Sequence, residues 1–264
     1  MIRIVVSSDW HVDWVTAGVE RFSDVDAHLE SIVDYIEEND VDHFLFGGDA
    51  FDPGGSQEAQ WSTFMIRAAE RIQERIHGSS LWLAGNHDTH NRSPVLTVLS
   101  PLRSAGRWAS GRVHVVEEPE VVLLESDIGG HEVCVLALPH VARPGVGRLQ
   151  EGADLDQFIH TATIPLNRDG PDDAPLVVLS HMQLPQMHAG SEGEMDRGRQ
   201  AFLPVEAIRA IQPAPVAVLN GHYHRPEVVV VDGLEVVVIG APQRFTFGEL
   251  DETARGFVVV EIEV

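Results

Sequence analysis

Ile2-Arg3-Ile4-Val5-Val6-Ser7-Ser8-Asp9-Trp10-His11 begins with an apolar run too short for a buried helix and ends on two ligand-capable side chains one residue apart. The run reads as a buried β-strand, and the same order of strand then polar turn recurs down the chain. Residues 44–46 lead into Gly47-Gly48-Asp49-Ala50-Phe51-Asp52, and residues 81–83 into Gly85-Asn86-His87-Asp88. Residues 176–179 lead through Ser180 to His181, and residues 216–219 through Asn220 to Gly221-His222-Tyr223-His224. Between the first three strands lie two helical periodicities. Val25, Leu29, Ile32, Val33 and Ile36 follow Ser23 as N-cap; Trp61, Phe64, Met65, Ala68, Ile72 and Ile76 form the second. Strands alternating with helices of this length predict an α/β fold with a largely parallel sheet, whose ligands lie beyond the carboxyl ends of its strands.

The texture changes after residue 113. Residues 113–116, 120–124 and 132–138 follow one another with only turn residues between, which predicts a meander or a sheet edge. Residues 142–175 are rich in Gly, Pro, Asp and Arg with a weak helical stretch over 155–159, and residues 185–199 form a polar loop. Residues 227–231, 234–239 and 257–262 read as hairpin-like β structure, with Asp232-Gly233 a strong two-residue turn. Without repeats or a long linker, the simplest expectation is one domain over residues 1–264 with two packed sheets.

Composition narrows the chemistry. Of 264 residues, 18 are basic and 41 acidic, for a formal charge of −23. Every basic residue is arginine, so a Walker lysine, Schiff-base catalysis and lysine-rich nucleic-acid arms are excluded. A field this negative repels polyanions unless the cations are concentrated locally. Cys134 is the single cysteine, which rules out an intrachain disulfide and a multi-thiolate zinc site and fits a reducing compartment. The N-terminus enters a strand directly without the parts of a signal peptide, and no apolar run approaches the ~18 residues of a membrane span. A cytoplasmic location is expected.

Five strand ends thus each deliver His, Asp or Asn. Oxygen and imidazole donors without thiolate suit Mn²⁺, Fe²⁺ or Zn²⁺ in open coordination, and a carboxylate able to bridge two cations suits phosphoryl chemistry. Singly, the parts are weak: Asn86 and His87 can equally cap a following helix, and the chain has 14 histidines to form accidental pairs. Their shared topological position is what favours a two-metal site.

In this order, Asp9-Trp10-His11, Gly48-Asp49, Gly85-Asn86-His87-Asp88, His181 and Gly221-His222-Tyr223-His224 resemble the calcineurin-like metallophosphoesterase superfamily. Within it, Ser7-Ser8-Asp9-Trp10-His11, Gly48-Asp49-Ala50-Phe51-Asp52, Leu138-Pro139-His140-Val141 and the tail from Gly240-Ala241-Pro242-Gln243-Arg244-Phe245 to Gly256-Phe257-Val258 are similar to the SbcD-type DNA repair exonucleases. The resemblance implies a two-layer β-sandwich flanked by helices and two divalent cations, Mn²⁺ first, with Fe²⁺, Zn²⁺ or Mg²⁺ as alternatives. It assigns Asp9, His11 and His224 to one ion and Asn86, His181 and His222 to the other, with Asp49 bridging. His87 would act on the scissile phosphate and Asp52 would orient it, in a two-metal in-line hydrolysis of DNA serving repair, recombination or phage DNA processing.

The resemblance also implies the nuclease domain alone, without the family's DNA-capping domain or the segment that clasps an SMC-like ATPase, and Ala241 stands where the family tends to have serine. Alternatives are a small-molecule phosphodiesterase or phosphomonoesterase of the same superfamily, or a non-catalytic metal-bound interaction subunit. Arg143, Arg148, Arg197, Arg199, Arg225 and Arg244 are candidate phosphate contacts, whereas Arg67, Arg71 and Arg75, interleaved with Glu70 and Glu74, read as a self-paired helix surface. Val95, Leu96, Val98, Leu99 and Leu102 offer either a homodimer interface or ordinary packing against the sheet.

Overall fold

The computed structural model describes residues 1–52, 59–88, 99–105, 111–140, 174–185, 187, 202–245 and 254–264. Strand β1 (Ile2–Ser7) is flanked by β4 (His43–Phe46) and, beyond it, β5 (Ser80–Leu83) and β6 (Val113–Val116), all parallel, with β13 (Val258–Ile262) antiparallel on the other side of β1. The second sheet runs β11 (Glu227–Val231), β12 (Leu234–Val238), β10 (Ala217–Asn220), β9 (Leu176–Ser180), β8 (Glu132–Leu138), β7 (Glu120–Glu125). A two-stranded ribbon, β2 (Val15–Thr16) and β3 (Val19–Glu20), projects after β1.

Alternation within each strand explains the layering. Ile4 and Val6 of β1 meet Leu45, Leu81, Val135, Val177 and Leu219 in an apolar layer between the sheets. Val5, Phe44, Phe46 and Trp82 point the other way, onto helices α1 (Phe22–Glu38), α2 (Ala59–Gln73) and α3 (Ser100–Ala105). Leu136, Val178 and Val218 point outward from the second sheet onto α4 (Val205–Arg209). Because both faces of the central strands are covered, they read as continuous apolar runs.

The parallel reading of the first half holds, and local expectations sharpen. Of the two alternatives for residues 113–116, the sheet edge is the one formed: β6 is the edge strand beside β5 and pairs with it in parallel, Val113 and Val115 burying one face against the helices while Val116 buries the other between the sheets. The chain then crosses to the second sheet, where β7 and β8 form the hairpin. At the C-terminus the Asp232-Gly233 hairpin forms, but β13 leaves it for the first sheet. Helix α1 starts at Phe22, so Ser23 lies inside its first turn and caps nothing.

Leu99 and Leu102 are 0% and 1% exposed in the core under the first sheet's helices, so these two side chains offer no dimer surface. Val95, Leu96 and Val98 lie outside the described residues, as do the 155–159 stretch and nearly all of the 185–199 loop. No helix among the described residues is long and apolar enough to cross a membrane.

Candidate metal centre

All five polar turns emerge at one end of the sandwich, three from β1, β4 and β5 and two from β9 and β10. The loops after β1 and β4 lie side by side: Asp9 N–H donates to Gly48 O at 2.8 Å, His11 N–H to Asp49 O at 3.2 Å and Val12 N–H to Ala50 O at 3.0 Å. Trp10, between the two polar residues, is fully buried and sets its ring edge-on against Phe46 and Trp82. Anchoring that ring leaves Asp9 and His11 to face the site. Asp9, His11, Asp49 and His222 all hold left-handed backbone, with φ of 55°, 40°, 56° and 75°. Such backbone in non-glycine residues is uncommon and costs stability, and it gathers at functional sites.

Three groups of side chains that could hold a metal converge there, one of them His11, Asp52 and His87. Asp9, His11 and His224 bring one ligand atom each within 4.8 Å of one another, and so do Asp49, His181 and His222. Asn86 joins the second group, its Oδ1 lying 3.0 Å from His181 Nε2 and 2.9 Å from His222 Nδ1. Asp49 Oδ2 sits between the groups, 3.1 Å from His181 Nε2 and 3.9 Å from His11 Nε2. These two groups each draw on both sheets, whereas His11, Asp52 and His87 all come from loops of the first.

The donor set fits divalent cations. Asp9 Oδ2, both ring nitrogens of His11 and His222 Nε2 are buried and find no hydrogen-bond partner among the described residues. Buried polar atoms left so are costly unless a ligand satisfies them. His181 is oriented from behind: its Nδ1 faces Gly47 O at 2.7 Å, which leaves Nε2 for the site. Asp9 Oδ1 accepts the His222 N–H at 3.1 Å, tying the second sheet's loop to the first.

Electrostatics separates the histidines. Burial drives His11 well below its ordinary value, and burial with neighbouring His181 brings His222 down to about 3. Burial opposes charge on His181 as well, but Asp49 outweighs it and raises His181 to about 9. His87 is raised to about 9 in the same way, burial being outweighed by Asp49 and Asp52. His87 also differs in access: its side chain keeps 24% exposure, against 0% for His181 and 2% for Asp49. Its Nδ1 faces Asp52 Oδ1 at 3.4 Å, and its Nε2 lies 3.9 Å from Asp49 Oδ2.

Two features escaped the sequence reading. Asp88, fully buried, accepts the N–H groups of Asp49, Ala50 and Gly85, each at 2.9 Å, and so fastens the turn after β5 to the turn after β4. Burial, reinforced by Asp49, pushes it up to about 7. The signal was its place in Gly85-Asn86-His87-Asp88, but its partners on the β4 turn lie 38 and 39 residues away. The second is Phe245, whose ring lies 4.4 Å from that of His224 and 4.9 Å from that of His11, walling the first group. Gly85 and Gly48 have a clear purpose: a Cβ on Gly85 would strike the Asp49 carboxylate, and one on Gly48 the His181 ring.

Of the arginines, Arg225 is exposed beside His224 and Arg244 half-buried beside Phe245, whereas Arg143, Arg148, Arg197 and Arg199 lie outside the described residues. Arg71 and Arg75 pair across to α1, with Glu30 and Glu37 at 2.6 Å, more closely than along their own helix.

Sandwich and paired clusters are consistent with a metal-dependent phosphoesterase, and a family comparison agrees: residues 2–226 match the calcineurin-like phosphoesterase model, and the chain belongs to that family. Among its relatives is the SbcD component of the SbcCD nuclease from Bacillus subtilis (strain 168), 24% identical over 94% of this chain, and its counterpart from Rhodobacter capsulatus, also 24% identical over 94%. The chain spans 63% and 64% of those two proteins' lengths. The fold is shared with a dimetal phosphatase from Danio rerio (TM-score 0.55, 12% identity, 91% of this chain and 87% of that one). It is shared too with the TT1561 protein of Thermus thermophilus (TM-score 0.53, 16% identity, 91% and 89%).

Proposed function

We propose that this protein is a metal-dependent DNA nuclease of the SbcD type. The observation that carries the reading is the pair of clusters with Asp49 Oδ2 between them and the accessible His87 beside them. Similarity to two nuclease components over 94% of the chain turns phosphoester hydrolysis toward DNA. Asp9, His11 and His224 would hold one divalent cation, and Asn86, His181 and His222 the other, with Asp49 shared; Mn²⁺ is the first choice. Bound there, the pair supplies Lewis-acid polarisation of a phosphoryl oxygen and an activated water. His87, its Nδ1 facing Asp52, presents Nε2 to the scissile phosphate, where it stabilises developing charge or protonates the leaving oxygen. An SMC-like ATPase partner and self-association belong to the same reading, through surfaces other than Leu99 and Leu102.

The test is incubation of the protein with linear and supercoiled DNA and Mn²⁺, beside His87→Ala. Cleavage that needs the metal and falls by about two orders of magnitude in the variant is expected. Cleavage unchanged in His87→Ala would remove the role given to that residue. The net charge of −23 favours a second reading, a small-molecule phosphodiesterase or phosphomonoesterase. Turnover of a cyclic nucleotide or of a phosphate monoester far above that of DNA would establish it.

A further inference from the structure

Asp13 lies outside every motif quoted from the sequence. The loops after β1 and β4 are joined by three backbone rungs, from Asp9, His11 and Val12. A fourth rung is made by a side chain: Asp52 N–H donates to Asp13 Oδ1 at 2.7 Å. Beyond it, Asp52 Oδ1 lies 3.4 Å from His87 Nδ1. Asp13 is half-buried, with the Asp52 carboxylate repelling it and the His87 imidazole attracting it. The Asp13 side chain, the Asp52 backbone and carboxylate, and the His87 ring therefore form a row from the β1 loop through the β4 loop to the β5 loop.

We propose that Asp13 is a positioning residue that sets the Asp52 carboxylate against His87, fixing the ring's orientation and the aim of Nε2. The proposal rests on the phosphoesterase reading of the site. Without the Asp13 acceptor, Asp52 N–H loses its partner and the carboxylate of the same residue is free to swing from the imidazole. A positioning partner of this kind carries about tenfold to hundredfold in rate when removed.

The experiment measures kcat and KM on bis(p-nitrophenyl) phosphate with Mn²⁺, and Mn²⁺ stoichiometry by electron paramagnetic resonance, using the full chain. Asp13→Ala is expected to lower kcat about tenfold or more with KM and Mn²⁺ binding unchanged. Asp13→Asn, whose amide oxygen accepts the same N–H, should recover most of that loss. In an Asp52→Ala background, Asp13→Ala should add no further loss, because its effect passes through Asp52. If the alanine variant does not fold, Asp13→Leu, which fills the space and accepts nothing, carries the same expectations. Wild-type kcat in Asp13→Ala, a full additional loss on top of Asp52→Ala, or loss of Mn²⁺ would each overturn the proposal while leaving the phosphoesterase reading intact. A wild-type protein inactive on both the probe and DNA would overturn both.

Discussion

Asp88 shows how much one buried carboxylate can organise. Its Oδ2 accepts from Asp49 and Gly85 and its Oδ1 from Ala50. Asp88→Asn puts an amide NH2 against at least one of those N–H groups in either flip. The expected cost is about 2–4 kcal/mol in urea unfolding, with weakened metal binding, because Asp49 is held by the same bonds. An unchanged urea midpoint would show that the turn is held otherwise. Gly85→Ala should abolish binding at the Asp49 cluster, since the added methyl group occupies the space of that carboxylate; calorimetric titration with Mn²⁺ checks it. At this scale the sequence was legible where chemistry is carried by residue type and spacing. The seven candidate ligands converge as the motif order implies, because each follows a strand end. Asp88 and Phe245 stand in quoted motifs and Asp13 in none, but the role of each depends on which turns the fold brings together, which the motif alone does not give.

Helix α2 separates packing from surface charge. Ile72 is fully buried beneath it, whereas the Arg71–Glu30 pair on its outside is 34% and 50% exposed. Ile72→Ala is expected to cost about 2–5 kcal/mol and Arg71→Ala less than about 1 kcal/mol. Comparable losses in thermal unfolding would mean that the helices are held to each other more than to the sheet. Strand and helix positions were largely readable from periodicity, since buried strands and amphipathic helices carry it in their own residues. The sheet membership of β6 and β13 was not, because pairing is decided by what covers each face. The signal in β6 lay in its apolar residues on both faces, Val113 and Val115 against Val116, which a meander with one solvated face does not need.

Over the whole molecule, stability depends on pH through histidines away from the centre. Burial brings His28 and His43 down to about 4. Unfolded, each titrates near ~6.5, so the folded state binds fewer protons below that value. Their stabilisation is complete above pH ~6.5 and is lost as pH falls towards 4, by about 1.4 kcal/mol per pH unit for each. Urea midpoints between pH 7 and 4.5 should show this slope, reduced in His28→Asn; an unchanged slope in the variant would count against it. The charge of −23 bears on substrate rather than fold. On the nuclease reading, DNA would be held by a few arginines and two cations, so affinity should fall only shallowly with salt, and a steep slope would contradict that reading.

Because Asp9, His11 and Asp49 come from the first sheet while His181, His222 and His224 come from the second, neither of the two clusters that meet at Asp49 is complete on one sheet. A break in the backbone between β8 and β9 would divide the ligands the same way, with Asn86 staying beside the first sheet's carboxylates and the last three histidines on the other piece. Each half of such a split protein would lack part of both clusters, and recovery of Mn²⁺ binding on mixing them would count only those pairs in which β9 had rejoined β8 and β13 had rejoined β1 in register.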